Sequence, residues 1–503
     1  MPVLAAIDVG SNALRLAIGE TDVQHRITLV ESIREPVRLG KDVFTQGALK
    51  EETIEASVTA FHRFREAITL HGAGRVRAVA TSATRESTNR ELFLDRIAGA
   101  TGIEIEIIGP EEEARLIYLA VADKVNLKNK SAMLIDIGGG STEISVVSNG
   151  TIQMTESFRL GAVRLLQVLE EKKHGEARFH VLLDEYMGAV RKRIVRDLGI
   201  RTFDLCVGTG GNIETLGDLR RGLLTRDRDT SLPAEDLDAL IKILQAKSYE
   251  QRVQELGLRP DRADVIVPAA LVLRTILRAA KIGEIVIPGV GLKDGLLLDM
   301  VEEMYGGRRV LHRDQIVASA LELGRRYQFD EQHGTAVARY ALQLFEQTRM
   351  LHNLGIEHRL ILEVAALLHD IGMFINGTDH HKHTYYVLSG SPLVGLSQSQ
   401  MMLIANVARY HRKSLPKVQH DGYRMLPAKD RVVVSKLAAI LRLADAMDNE
   451  HASKVTDLAV DFKKPKLSIR LSGEGDMLLE KWALLKKAEL FEEVFNVKIT
   501  IEE

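Results

Sequence analysis

The sequence lacks several features that identify particular classes of protein. Among its 503 residues Cys206 is the only cysteine, which excludes a disulfide scaffold and a cysteine-based zinc site. No run approaches the roughly 18 consecutive apolar residues typical of a membrane span. The 67 basic and 69 acidic residues nearly cancel, so the overall charge does not favour nucleic acid or an anionic membrane as a partner. We therefore expect a cytoplasmic protein with neither kind of partner.

The hydrophobic pattern changes near residue 300. Before this point short β-branched runs alternate with helical stretches, which is typical of α/β layers. After about Tyr305 the sequence becomes a series of amphipathic helical segments, and from about Lys454 strand-like alternation returns around a helix near 478–494. This organisation predicts two α/β domains (1–124 and 125–304), an all-helical domain (305–453) and a small α+β domain (454–503).

Two segments of the α/β part resemble each other. "AIDVGSNALRL" at 6–16 and "LIDIGGGSTEI" at 134–144 both consist of a strand, an aspartate, a glycine turn and a resumed strand. Such strand–turn–strand hairpins, offered by two half-molecules to one cleft, are the layout of the actin-like (ribonuclease H-like) fold. The repeat predicts a two-domain actin-like core.

Three glycine-containing turns follow predicted strands, the third within "VGTGGNIETLG" at 207–217. Glycine in a regular element is destabilising by roughly 0.5–1 kcal/mol relative to alanine, so the turns indicate close approach of the backbone to a ligand. Amides at such turns and at helix starts favour an anion, and a phosphate is the expected one. The candidate phosphate-binding residues are Ser11, Asn12, Gly138, Gly139, Gly140, Ser141, Thr209, Gly210, Gly211 and Asn212.

Carboxylates accompany these turns. Asp8 and Asp136 each end a predicted strand beside a turn, where they could hold a divalent cation through oxygen ligands. The segment "GPEEEARLIYLA" at 109–120 places glutamates in the first turn of a helix, where one could activate water. Favourable electrostatics at a helix start would explain the same glutamates without catalysis.

Five motifs in this order resemble the exopolyphosphatase/guanosine pentaphosphate phosphatase family of the actin-like superfamily: "DVGSNALRL", "VATSATRESTN", "GPEEEARLIYL", "DIGGGSTEI" and "VGTGGNIETL". The resemblance implies Mg²⁺-dependent hydrolysis of the terminal phosphate of inorganic polyphosphate. Conversion of pppGpp to ppGpp is the runner-up, either as a further activity or as the main one. The resemblance also implies Glu113 as the base that activates water, Asp136 and Glu143 as metal and water-orienting residues, and Arg85 as a phosphate contact. With Asp8, the two acidic residues make the expected Mg²⁺ site.

Two positions depart from the family pattern. Gly109-Pro110 stands where the family usually has Ser-Gly, and Asn212 stands where threonine is common. A sugar-type kinase or a chaperone-like ATPase would use the same fold, but the glutamate-rich helix favours the hydrolase. A polyphosphate- or alarmone-sensing protein with a vestigial core is the further alternative, and the retained Glu113, Asp136 and Glu143 argue against it.

The helical domain contains histidines in unusual company. Together they resemble the HD phosphohydrolase domain, which implies His333, His369, Asp370 and Asp445 as primary metal ligands and His383 with His411 at a second metal. Imidazole and carboxylate ligands suit a divalent ion such as Mn, Fe, Ni, Co or Zn. Alternatively these helices are a platform that binds polyphosphate through basic residues such as Arg412 and Lys413 and joins two copies of the chain. We expect a homodimer.

Overall fold

The structure is a computed structural model that describes residues 2–171, 185–188, 191–192, 195–196, 202–224, 230–305 and 309–502. The chain divides into two compact units, Met1–Arg309 and Val310–Glu503, here called the N-terminal and C-terminal units. The sequence pattern over 161–198 predicts a helical segment, and much of it lies outside the described residues.

The N-terminal unit contains two mixed sheets. Its strands are β1 (Val3–Val9), β2 (Leu14–Thr21), β3 (Ile27–Glu35), β4 (Arg75–Ala80), β5 (Ile105–Ile107), β6 (Ser131–Ile137), β7 (Thr142–Ser148), β8 (Thr151–Phe158), β9 (Leu205–Thr209), β10 (Ser231–Pro233) and β11 (Glu284–Val286). The strand orders are β3-β2-β1-β4-β5 and β10-β11-β9-β6-β7-β8.

The two sheets share one plan. In each, an antiparallel meander (β1–β3 or β6–β8) is extended by a strand parallel to its first member, β4 beside β1 and β9 beside β6. Strands β1 and β6 are central and largely buried, which explains their nearly continuous apolar sequence. Asp8 and Asp136 occupy the same place, one residue before the end of their strands. The structural repeat therefore follows the sequence repeat.

Helices surround these sheets. The described helices of the N-terminal unit are α1 (Leu39–Gln46), α2 (Glu51–Leu70), α3 (Ser82–Glu86), α4 (Arg90–Thr101), α5 (Pro110–Lys124), α6 (Ala162–Glu171), α7 (Gly211–Leu223), α8 (Ala234–Gln245), α9 (Tyr249–Gln254), α10 (Pro260–Ala263), α11 (Ile266–Ala280) and α12 (Leu292–Tyr305). Helices α5 and α12 pack so closely at Gly295 that a Cβ atom there would lie 1.9 Å from the Leu116 carbonyl oxygen. This contact fixes the position of α5.

The C-terminal unit is helical, with a three-stranded sheet. Its helices are α13 (Arg309–Arg326), α14 (Glu331–Gln347), α15 (Arg349–His352), α16 (Ile356–Leu368), a 3₁₀ helix (Ile371–Phe374), α17 (His380–Ser389), α18 (Gln398–Arg409), α19 (Asp421–Arg424), α20 (Ala428–Ala446), α21 (Leu478–Lys487) and α22 (Glu489–Phe495). Its strands are β12 (Val455–Lys463), β13 (Lys466–Gly473) and β14 (Lys498–Glu502), in the order β12-β13-β14.

Helix α20 is the central element of this unit. Every residue from Leu437 to Ala446 is buried, so this half of the helix is enclosed on all sides, as a nearly all-apolar helix requires. The single helix expected near 478–494 is instead two helices that meet at Ala488. None of the helices described in either unit combines the length and apolar character that crossing a membrane requires.

Candidate active site

A cavity of about 190 Å³ lies between the two sheets of the N-terminal unit. The first and second glycine turns line it through Ser11, Asn12, Gly138, Gly139 and Ser141, and the third through Gly210, Gly211 and Asn212. The turns meet because each follows the C-terminal end of a central strand, β1, β6 or β9. The sequence-predicted turns therefore share one cavity.

Three carboxylates form a group at this cavity, two of which, Glu113 and Asp136, line it. Glu113 on α5, Asp136 on β6 and Glu143 on β7 each bring one carboxylate oxygen within 4.8 Å of the others. Asp136 and Glu143 are neighbours because they are paired directly across the β6–β7 hairpin. Glu113 reaches them from the first turn of α5, where Pro110 occupies the first helical position. Proline suits that position, since it needs no amide hydrogen bond there. The departure at Gly109-Pro110 is thus compatible with a regular helix start.

Little positive charge lies close to these carboxylates. One oxygen each of Glu113 and Glu143, Oε2 in both, is buried without a hydrogen-bond partner. Ser157 donates a hydrogen bond of 2.9 Å to the other Glu143 oxygen, and Thr209 donates one of 2.6 Å to Asp136. Buried carboxylate oxygens without donors suit a divalent cation and its water, because a hard cation prefers oxygen ligands. The residues present therefore fit Mg²⁺.

The pKa values of the three groups reflect this crowding. Burial raises the pKa of Asp136 to about 6, against the lowering effect of the Thr209 hydrogen bond. Burial and the neighbouring charge of Asp136 raise the pKa of Glu143 to about 7. Burial, and then the charge of Glu143, also hold the pKa of Glu113 well above its usual range. A bound cation would favour the ionised forms of all three.

Asp8 occupies a different electrostatic environment. It lines the same cavity, but Arg15 donates a 3.0 Å hydrogen bond to its Oδ2 atom. The sequence grouped Asp8 with Asp136 and Glu143 at the Mg²⁺ site. In the structure Glu113 is the third carboxylate of that group, and Asp8 is in an ion pair beside it.

Helix α6 engages the carbonyl side of the second turn. The amides of Ala162 and Val163 donate to the carbonyls of Gly138 and Gly139 at 3.1 and 2.9 Å. The Arg164 guanidinium donates to the Gly140 carbonyl at 2.7 Å. The Gly138 amide donates to the Ser141 carbonyl at 3.0 Å, and the turn can offer its remaining amide groups to an anion.

No side chain fits at the closest approach behind this turn. A Cβ atom on Gly161 would lie 2.2 Å from both the Gly139 carbonyl oxygen and the Gly140 amide nitrogen. A Cβ atom on Gly140 would lie 2.3 Å from Ser82 Oγ and 2.5 Å from the Phe44 ring. Glycine at positions 140 and 161 thus has a steric reason.

Arg85 lies beside the carboxylates without a close ion pair. Its Nη1 atom is 3.8 Å from Glu113 Oε2 and donates a 2.6 Å hydrogen bond to the Ile108 carbonyl. The carbonyl contact holds the guanidinium next to the glutamate.

Several cavity residues were absent from the sequence prediction. Arg15, Arg262 and Lys293 add positive charge to the lining, and Arg262 donates to the Asn212 side chain. Arg15 lies inside the recognised segment "DVGSNALRL", and Lys293 lies in the glycine-containing stretch "GVGLKDGLL" at 289–297, so their charge was an available signal. Arg262 belongs to no motif. Asn212, the second departure from the family pattern, is the partner of this arginine.

The C-terminal unit contains a second cluster of ligand-type side chains. His333, His369 and Asp445 bring one atom each within 4.8 Å of the others, and so do Asp370, His380 and His411. His383, which was predicted at a second metal, belongs to neither group; the histidine grouped with Asp370 and His411 is His380. Lys487 on α21 donates to Asp445 Oδ2.

The chain matches two family models. Residues 18–304 match the model of the Ppx/GppA phosphatase family, and residues 317–494 match the model of Ppx/GppA phosphatase, domain III.

Among curated relatives, the guanosine-5'-triphosphate,3'-diphosphate pyrophosphatase of Vibrio vulnificus is 27% identical over 484 residues, which are 95% of this chain and 91% of the relative. The protein of the same name from Photobacterium profundum is 27% identical over 446 residues, covering 88% of this chain and 85% of the relative.

Among solved structures, an exopolyphosphatase from Cytophaga hutchinsonii has a TM-score of 0.55 and 26% identity, covering 60% of this chain and 98% of that one. The Ppx/GppA family member from Aquifex aeolicus has a TM-score of 0.52 and 25% identity, covering 60% and 99%. These similarities confirm the actin-like α/β core.

Proposed function

Because this chain belongs to the Ppx/GppA phosphatase family, whose members hydrolyse phosphoanhydride bonds, we propose that its N-terminal unit removes the terminal phosphate of inorganic polyphosphate. One observation carries the proposal: Glu113, Asp136 and Glu143 converge, with little compensating charge, at a cavity lined by three glycine turns. The turns suit a chain of phosphates, and the carboxylates suit a cation and an attacking water.

In the proposed reaction Glu113 is the general base. Its raised pKa makes it a stronger proton acceptor than an exposed glutamate, and its unpartnered Oε2 atom is free to accept a proton from water. Asp136 and Glu143 would hold Mg²⁺, which when bound neutralises charge on the phosphate oxygens. Arg85 and the turn amides would bind the oxygens of the transferred phosphoryl group.

The second proposed substrate is pppGpp, and the names of the curated relatives support it. Polyphosphate and pppGpp both end in a linear phosphoanhydride, so the same turns and base would serve either. Phosphate release from long polyphosphate and from pppGpp, measured side by side with Mg²⁺, tests the assignment. We expect a larger kcat/KM for polyphosphate; a larger value for pppGpp would reverse the order, and no release from either would favour a sensing role.

We further propose that the C-terminal unit contains an HD-type domain that binds a transition metal such as Mn, Fe, Ni, Co or Zn. The support is the buried group formed by His333, His369 and Asp445.

The boundaries 1–124, 125–304, 305–453 and 454–503 are proposed for the four domains. A cytoplasmic homodimer is also proposed, and sedimentation velocity would test its size.

A further inference from the structure

Arg164 contacts both halves of the N-terminal unit, the first containing β1–β5 and the second β6–β11. It lies in the first turn of α6, in the second half, where its Nε atom donates to the Gly140 carbonyl at 2.7 Å. Its Nη2 atom donates to Glu86 Oε1 at 2.6 Å, and its guanidinium carbon lies 3.9 Å from the centroid of the Phe44 ring. Glu86 on α3 and Phe44 on α1 belong to the first half. One side chain therefore joins the two halves.

Arg164 is attached to the second glycine turn through both its backbone and its side chain. Its amide donates to the Gly139 carbonyl at 3.1 Å, beside the contact of its guanidinium with Gly140. The side chain is largely buried, and its planar guanidinium presents its N–H groups in fixed directions. The position of the guanidinium therefore follows the position of the turn.

The other end of this connection lies beside Arg85. Glu86 and Arg85 are adjacent in α3, a helix of five residues, so a shift of Glu86 also shifts Arg85. Arg85 Nη1 lies 3.8 Å from Glu113 Oε2. Arg164 thus connects the two groups that the proposed reaction assigns to the oxygens of the phosphoryl group, the amides of the second turn and the Arg85 guanidinium.

This connection requires the geometry of an arginine. One edge of the guanidinium donates to Gly140, another donates to Glu86, and its carbon lies close to the Phe44 ring. A lysine keeps the positive charge but has a single nitrogen and no planar group to stack on the ring. Arg164 is not among the described residues that line the cavity, so it acts through residues that do.

Resting on the function proposed above, we propose that Arg164 is a positioning residue of the phosphate site. It holds the second turn and Arg85 at the separation at which both bind one terminal phosphoryl group. The first and third turns bind the rest of the phosphate chain without depending on this separation. Loss of Arg164 should therefore lower kcat and leave KM nearly unchanged, since a misplacement on the order of 1 Å can cost about 10²-fold in rate.

Steady-state hydrolysis of polyphosphate with Mg²⁺ by Arg164→Lys and Arg164→Ala tests the proposal. We expect kcat to fall by about 10–10²-fold in both, with little change in KM. The lysine variant retains the charge, so it separates geometry from charge and still decides the question if the alanine variant does not fold. Wild-type kcat in Arg164→Lys, or a higher KM with kcat unchanged, overturns the proposal.

Two control variants separate positioning from general weakening of the contact between the halves. Arg159, which is exposed, lies 3.8 Å from the other Glu86 oxygen, so Arg159→Gln changes the charge near Glu86 and should keep kcat. Gln167 on α6 accepts a 2.9 Å hydrogen bond from Thr45 on α1. Gln167→Ala should lower stability to urea and keep kcat. A loss of kcat in Gln167→Ala equal to that in Arg164→Lys would overturn the positioning role.

A double-mutant cycle tests whether Arg164 acts through Glu86. Glu86→Ala should lower kcat with little change in KM, as Arg164→Ala does. The double variant should be no slower than the slower single variant, because either change breaks the same connection. Losses that multiply would show that the two residues act independently and would overturn the connection.

Hydrogen–deuterium exchange of the full-length chain without substrate gives a readout that does not depend on turnover. In Arg164→Lys, exchange should become faster both in residues 138–141 and in residues 82–86, and in Arg159→Gln in neither segment. Faster exchange in both segments, with no phosphate release by wild type from polyphosphate or pppGpp, would overturn the proposed function and support the connection. Unchanged exchange in both segments overturns the connection whatever the activity.

Discussion

The carboxylates of the N-terminal cavity and those of the C-terminal histidine cluster have opposite electrostatic character. In the N-terminal cavity burial raises the pKa values of Asp136 and Glu143, because few donors compensate their charge. In the C-terminal cluster burial also raises the pKa of Asp445, but Lys487 and His369 outweigh it and hold the pKa well below its usual range. The class of metal ion that a group of carboxylates suits thus depends on the neighbouring ligands. Oxygen ligands alone suit a hard cation, while added imidazole ligands suit a transition metal.

Chelation should have the largest effect and tests this contrast directly. After treatment with EDTA, phosphate release from polyphosphate should fall to background, because the phosphate charge is no longer neutralised at the carboxylates. Mg²⁺ alone should restore it fully without restoring transition-metal content. Undiminished hydrolysis in EDTA would contradict a cation at the N-terminal cavity.

Glu113→Gln should lower polyphosphate turnover by about 10²–10⁴-fold, the usual contribution of a general base. Substrate binding should persist, since the glycine turns are untouched. Glu111→Gln, on the same helix turn, is the control and should retain turnover. Steady-state phosphate release measures both, and full activity in Glu113→Gln would assign the base elsewhere.

The position of Glu113 also depends on a buried ion pair. Asp299 on α12 accepts hydrogen bonds of 2.9 Å from Arg115 on α5 and 2.5 Å from Arg77. Burial raises the pKa of Asp299, but these arginines outweigh it and lower the pKa overall. Asp299→Asn should destabilise the protein by about 3 kcal/mol, as expected when one partner of a buried pair is removed.

Urea unfolding of the full-length chain measures this loss. Glu106→Gln removes an exposed partner of Arg77 and should cost less than about 1 kcal/mol. Equal losses in the two variants would show that burial does not distinguish these ion pairs. The metal content of the C-terminal unit should not change in either variant.

His352 should give the smallest effect, and it contrasts with the clustered histidines. Its Nε2 atom donates to the Phe345 carbonyl at 2.7 Å, and its Nδ1 atom accepts from the Leu354 amide at 2.9 Å. Both nitrogens have protein partners, so this imidazole is structural. Chiefly through burial, its pKa lies below the ordinary value of 6.5.

The unfolded chain therefore binds a proton at a pH where folded His352 does not. The stability that the neutral ring contributes is present above about pH 6.5 and is lost as the pH falls toward the folded-state pKa. Urea unfolding at pH 7 and pH 5 should show a smaller pH-dependent loss for His352→Asn than for wild type. Identical losses would exclude this histidine as a source of the pH dependence.

The residues of the N-terminal cavity could be predicted from the sequence more completely than those of the C-terminal cluster, for a physical reason. The glycine turns are continuous segments after strands, so local pattern alone predicts where their backbone lies. Arg262 was missed because its approach to Asn212 depends on tertiary packing across 50 residues.

The sequence selected His383 where the structure groups His380 with the other ligands, and this difference has another origin. These residues are three positions apart on α17, and residues at that spacing lie on the same helix face. Periodicity therefore cannot distinguish them. The position of α17 along its axis decides which of the two histidines lies in the ligand group. Packing at Gly372 sets that position, because Gly372 approaches the His380 carbonyl.

The contact of Gly161 with the second turn has a consequence for how this chain can evolve. A substitution at Gly161 meets backbone atoms of Gly139 and Gly140, and backbone cannot be replaced by a smaller neighbour. Where a residue contacts a side chain, a smaller neighbour can make room for a larger substitute. No such compensating mutation exists for a contact with backbone atoms. Any lineage that retains the backbone of this turn should keep glycine at position 161, which lies outside every recognised motif, and loss of that glycine would mark a copy of the gene in which the turn has changed shape.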